Sequence, residues 1–162
     1  MNNVKYNAKH KDKTDDKTDD NTFIKDLLAE SDKKWKHSYT AAEIKEEMKE
    51  AVAEFYEPYL NFEENKENME TTIKKLDDYV YIHDDEPVFP GRFIRYLDHK
   101  FHRNLRLSRG EIVLKYENDM VLLKRFWKIF RVKRCNVRIF MKLNKTDKFR
   151  AFLNEFGNNY VD

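Results

Sequence analysis

The amino-acid sequence predicts a mainly α protein with a small α+β part at its C-terminal end. Three observations lead there. Glycine is scarce, with only Gly91, Gly110 and Gly157 in 162 residues, so few sites suit tight turns with positive φ. Apolar residues recur at three- and four-residue spacing through the first half, the period of a helix. A two-residue alternation comes only late, in Val137, Ile139, Met141 and Leu143, and that is the period of a strand.

Taken in order, residues 1–21 read as a disordered polar tail. They hold a tandem repeat, Lys13-Thr14-Asp15-Asp16 and Lys17-Thr18-Asp19-Asp20, with almost nothing to bury. Thr22 caps a first helix over 23–36, whose apolar side is Phe23, Leu27, Leu28 and Trp35. Thr40 and Glu43 form a capping box, hydroxyl to backbone N–H one way and carboxylate back the other. Ile44, Met48, Val52 and Phe55 then continue a second helix until Pro58 ends it. Its opposite face is acidic, with Glu43, Glu46, Glu47, Glu50 and Glu54. A third helix is predicted over 67–81, on the stripe Met69, Ile73, Leu76 and Val80. Pro87, Pro90 and Gly91 break the chain there.

Beyond the break, Phe93, Ile94, Leu97 and Phe101 mark a fourth helix over 92–104. After a short turn at 105–107, Ser108 and Glu111 form a second capping box. Ile112, Tyr116, Met120 and Leu123 carry a fifth helix to residue 125. The strand at 137–143 finds its partner at 127–132, with Lys133-Arg134-Cys135-Asn136 as the hairpin connection. A single helix from 108 through 130 is the competing reading. Thr146 caps a last helix over 147–156, which stops at Gly157. Helix, turn, capped helix and basic hairpin come in the order seen in winged-helix DNA-binding domains. The C-terminal module is therefore expected to be winged-helix-like, a helix-turn-helix with a β-hairpin, by analogy of architecture alone.

The charge distribution divides the chain the same way: a tail at 1–21, an acidic helical segment at 22–87 and a basic α+β module at 88–162. Residues 1–87 hold 14 Lys, no Arg and 23 Asp and Glu; residues 88–162 hold 18 Lys and Arg against 7 Asp and Glu. All ten arginines lie in the second part. Guanidinium forks bind phosphate through two hydrogen bonds and stack on bases. The expected function is an accessory or regulatory protein that binds DNA or RNA, mainly through the phosphate backbone. The expected contacts are Arg92, Arg95, Arg103, Arg106, Arg109, Lys128, Arg131, Lys133, Arg134 and Arg138. Glu111, Glu117 and Asp119 on the fifth helix argue against base reading, because carboxylates facing a groove repel phosphate. The acidic segment is expected to bind a protein partner or to mask the basic face.

Two rivals remain. One is a protein–protein adaptor or assembly subunit whose basic half meets an acidic partner. The other is a small Mg-dependent nuclease built on Asp98-His99-Lys100 with Asp84 or Asp85 upstream. His99 and His102 share a helix face in this reading, with solvated histidines favoured over metal ligands. No catalytic residue, cofactor or metal is expected. In the stretch Phe126-Trp127-Lys128-Ile129-Phe130, a core role is expected for the aromatics, with base stacking the alternative. Membrane contact is not expected. The polar start has no signal-peptide core, and the longest aliphatic run is Met120-Val121-Leu122-Leu123. With Cys135 as the one cysteine, an intracellular, reducing compartment is expected.

Overall fold

The capping box at Thr40 opens the first described helix. The structure is a computed structural model that describes residues 39–158, so the tail at 1–21 and the helix at 23–36 lie outside it. Thr40 Oγ1 accepts from the Glu43 N–H at 3.3 Å, and the Glu43 carboxylate accepts from the Thr40 N–H at 2.8 Å. Helix α1 follows over Ala41–Tyr56 and buries Ile44, Met48, Ala51, Val52, Phe55 and Tyr56. Pro58 sits in a single 3₁₀ turn, Glu57–Tyr59, that ends it. Helix α2 spans Glu63–Lys75.

From residue 79 the chain departs from the mainly α expectation. It forms a six-stranded antiparallel sheet: β1 Tyr79–Ile82, β2 Phe93–Asp98, β3 Glu111–Glu117, β4 Met120–Arg125, β5 Lys128–Lys133 and β6 Val137–Lys142. Its order is β1-β6-β2-β3-β4-β5. Helix α3, Lys145–Asn158, closes the described chain. The fold is α+β with a substantial sheet, not a helical segment with a winged-helix-like module.

Each misread element has a physical reason. The predicted fourth helix is β2. This strand is paired on both sides and apolar on both faces, so its pattern lacks a clean alternation. The end of the predicted third helix is β1, whose four residues are all buried. The predicted fifth helix is the β3–β4 hairpin. Its apparent four-residue spacing runs across a two-residue turn in which Asn118 and Asp119 take φ of 52° and 61°. Two left-handed residues in a row make the turn type that matches strand twist, and Asn and Asp tolerate it best. A register shift between Val113 and Lys115 also breaks the period. Ser108 caps no helix: its hydroxyl accepts from the Tyr96 N–H and donates to Glu111. The strands at 127–132 and 137–143 exist but do not pair. β5 lies at the sheet edge against β4, whereas β6 lies between β1 and β2. α3 is capped by Asn144, which exchanges side-chain bonds with Asp147 at 2.8 and 2.9 Å, and not by Thr146. It runs through Gly157.

The core has two compartments. On one face of β1, β6 and β2, Tyr79, Tyr81, Phe140 and Leu97 pack with Met48, Val52, Phe55 and Tyr56 of α1. On the other face Val80, Ile82, Ile94, Val137 and Ile139 form one cluster with Val113, Val121, Leu123 and Val132. The sheet is therefore curled, with β3, β4 and β5 folded back over its first three strands. β2 pairs with β3 only at Phe93–Ile112 and Ile94–Glu111. Past that point they diverge, and an open cleft forms between the end of β2 and the edge strand β5.

Candidate nucleic-acid interface

The cleft wall is set by buried polar side chains. Asn65 of α2 is fully buried. Its Nδ2 donates to the carbonyls of Tyr59 and His102, and its Oδ1 accepts from the Leu105 N–H at 2.8 Å. The Tyr56 hydroxyl donates to the Leu105 carbonyl at 2.9 Å, and burial raises its pKa. These bonds hold the segment 99–110 against α1 and α2. Gly110, at φ +117°, ends that segment where a Cβ would run into the Phe93 ring. No sequence pattern marked Asn65 or Tyr56 as important. The only signal was a polar residue on a helix whose other stripe is apolar.

The main cleft has a volume of about 540 Å³ and is lined by Tyr96, Asp98, Lys100, Arg106, Arg109 and Lys128, among others. An adjoining hollow of about 450 Å³ shares Asp98 and Lys100 and adds His99, Arg131, Lys133 and Asn136. Both volumes fall in the range of ligand-sized sites. Glu111 lies beneath the cleft, 1% exposed. It accepts from the Arg125 guanidinium, whose Nε lies at 3.0 Å, and from Ser108. The carboxylate expected to repel phosphate is thus neutralised. Glu117 is paired with Lys115 at 2.5 Å near the β3–β4 turn, outside the main cleft but in a hollow that Arg131 also lines. The Tyr96 hydroxyl is pushed up to about 12 by burial and by nearby Glu111, so it stays a protonated donor. Asp98 accepts from the Lys100 N–H at 3.0 Å, with Lys100 Nζ at 3.7 Å.

The ten predicted contacts separate into two groups. Arg92 is paired with Asp147 at 2.5 Å and donates to the Lys142 carbonyl. Arg134 is 2% exposed and donates to the carbonyls of Ile82 and His83. Arg138 donates to the Ala51 carbonyl and lies over the Phe55 and Tyr81 rings. Arg95 lies over Tyr79, and its Nε is buried without a hydrogen-bond partner. These four serve the fold. The other six, Arg103, Arg106, Arg109, Lys128, Arg131 and Lys133, are exposed. None has a carboxylate partner among the described residues. Five of them line the cleft and its hollow. Lys100 was missing from the predicted set and belongs with them.

The expected core role of Trp127 is overturned. Phe126 and Trp127 form the two-residue turn between β4 and β5 and are 77% and 84% exposed. Ile129 is 60% exposed on the edge strand, and Phe130 packs partly on the core. Asp98 does end a strand, with Lys100 just beyond it. Even so, no group of three or more His, Cys, Asp or Glu side chains among the described residues is gathered to hold a metal. His99 and His102 instead pack on Phe55, Tyr59 and Phe62. Among the described residues no helix is long and apolar enough to cross a membrane. No family model, no curated protein and no solved structure matches this chain.

Proposed function

We propose that the protein is a nucleic-acid-binding accessory or regulatory protein that holds the phosphate backbone in the cleft between β2 and β5. One observation carries the reading. Five cations without carboxylate partners among the described residues, Arg106, Arg109, Lys128, Arg131 and Lys133, line the cleft and its hollow together with Lys100, and the acids beside them are already paired. Cations crowded onto one face repel each other and contribute nothing to the fold, so their cost is offset only when a polyanion arrives. The three arginines of the cleft and its hollow, Arg106, Arg109 and Arg131, supply forks that fit phosphate oxygens. Backbone contact is the favoured mode. The elements expected to enter a major groove, the predicted fourth and fifth helices, are strands.

The test is fluorescence anisotropy of the full chain with labelled DNA and RNA over a salt titration. With about six phosphates engaged, duplex affinity is expected to fall about 10³-fold between 50 and 200 mM salt. Replacing Arg109, Arg131 and Lys133 together by Ala is expected to weaken binding and to reduce the salt slope by about three. Absence of binding at low salt would overturn the reading and return the basic face to an acidic protein partner.

A further inference from the structure

The β4–β5 turn places a large apolar surface where none is needed for folding. Phe126 takes φ of 53°, in the left-handed region that glycine favours. For an aromatic residue that conformation is strained, because the Cβ crowds the following carbonyl oxygen. Trp127 beside it is almost wholly in water, and the two rings lie 6.0 Å apart at 42°. Arg125 and Lys128 flank the pair, and Lys128 is exposed. Lys128, Ile129 and Phe130, the next residues, line the main cleft. An aromatic platform thus stands beside one wall of the basic groove.

We propose that the ligand of this groove is single-stranded nucleic acid, with unpaired bases stacked on Trp127 and Phe126 while its phosphates follow the cations of the cleft. This deepens the preceding reading and rests on it. Shape separates single strand from duplex. Readers of duplex DNA push a convex helix or ribbon into a groove. Here the cations line a hollow, which suits a strand passing through it. The aromatics need a partner with a free π-face, and in a duplex those faces are already stacked. Any base offers one, so the platform tolerates any sequence.

Charge argues against a second copy of this chain on the same edge. Antiparallel self-pairing of β5 about its centre would set Lys128 against Lys133 of the other copy, and like charges directly opposite are destabilising. Those same cations protect an otherwise free strand edge from aggregation.

The test uses the full chain, labelled oligothymidine and oligouridine, and a duplex of the same length. Wild type is expected to bind the single strands more tightly than the duplex. Trp127→Ala, a change in an exposed side chain, is expected to lower the ratio of single-strand to duplex affinity about tenfold. Phe126→Gly relieves the left-handed strain, so it is expected to raise thermal stability while lowering the same ratio. Binding of single strand and duplex with a ratio that neither variant changes would overturn this proposal and leave phosphate binding in the cleft intact. Failure to bind any nucleic acid would overturn both. In that case, Trp127-dependent sedimentation with phosphatidylserine-containing vesicles would assign the platform to a membrane surface instead.

Discussion

The arginines of the inner strands and those of the rim behave as two different residues. Arg92, Arg95 and Arg138 stand on or just before β2 and β6, strands with neighbours on both sides and cover on both faces. A guanidinium there is drawn to partners inside the protein, because burying a charge unpaired costs several kcal/mol. Arg138 meets this with the Ala51 carbonyl and two rings; Arg92 meets it with Asp147. Arg95 finds only the Tyr79 ring for its face and keeps a buried Nε without a hydrogen-bond partner. Arg131 lies on the edge strand, and Arg106 and Arg109 lie on a segment with open solvent on one side. Water solvates them and no acceptor within the fold is required, so they are available to a ligand. The difference comes from position in the sheet, not from the local sequence.

The sharpest way to break this comparison is Asp147→Ala. The Asp147 side chain is 2% exposed and that of Arg92 12%, so the change strands a buried guanidinium and removes a cap bond from the Asn144 N–H. The expected loss is about 3–5 kcal/mol of stability, measured by urea unfolding. The protein that remains folded should keep its nucleic-acid affinity. A loss of affinity in the folded fraction would mean that Arg92 also contacts the ligand. Next in size is Asn65→Ala, which removes three hydrogen bonds holding the cleft wall. Leaving the buried Leu105 N–H unpaired costs about 1–3 kcal/mol. Here stability and affinity should fall together, because the same bonds position Arg106. By contrast, Arg131→Ala should change stability by less than about 0.5 kcal/mol and lower affinity and salt slope alone.

Some of this was legible in the sequence and some was not, for reasons that follow the same division. Thr40 and Glu43 cap α1 as their spacing requires, because a cap is made within four residues. The alternation at 137–143 marked a true strand for the same local reason. β2 was not legible as a strand, because a strand covered on both faces shows no polar side. The β3–β4 hairpin carried its signal in Asn118-Asp119, and the coincidental spacing of Ile112, Tyr116, Met120 and Leu123 outweighed it. Pairing was the least legible feature. β5 and β6 are separated by one 3₁₀ turn, Arg134–Asn136, yet sit apart in the sheet. Nothing in those few residues says that β6 pairs with β1, more than fifty positions earlier. The cations of the site could be named from sequence as a set. Which of them stay free could not, because that depends on which strand is the edge.

The smallest predicted effect lies at the seam between the two groups, at His99. Its ring centroid lies 4.1 Å from that of Phe55, a ring that Arg138 also covers, and its residue also lines the hollow with Arg131 and Lys133. Burial of the ring and the charge of Arg138 lower its pKa below the ordinary 6.5, against the pull of Asp98 and Asp84. The folded state therefore prefers neutral imidazole. As pH falls below 6.5 the unfolded chain takes up the proton first, so stability is complete above that value and declines as pH drops through the folded pKa. Binding runs the other way. A polyanion in the hollow favours imidazolium, so affinity should rise over the same interval. The Tyr59 hydroxyl, 3.3 Å from Nδ1, donates to the neutral ring and accepts from the charged one, so it opposes neither change. His99→Gln should flatten both profiles while other titrating groups keep theirs. Urea midpoints and anisotropy titrations across this range would measure the two slopes. Opposite signs in wild type would place His99 on the boundary between the arginines that build the fold and those proposed to meet the ligand; a stability slope without a binding slope would place it with Arg138, inside.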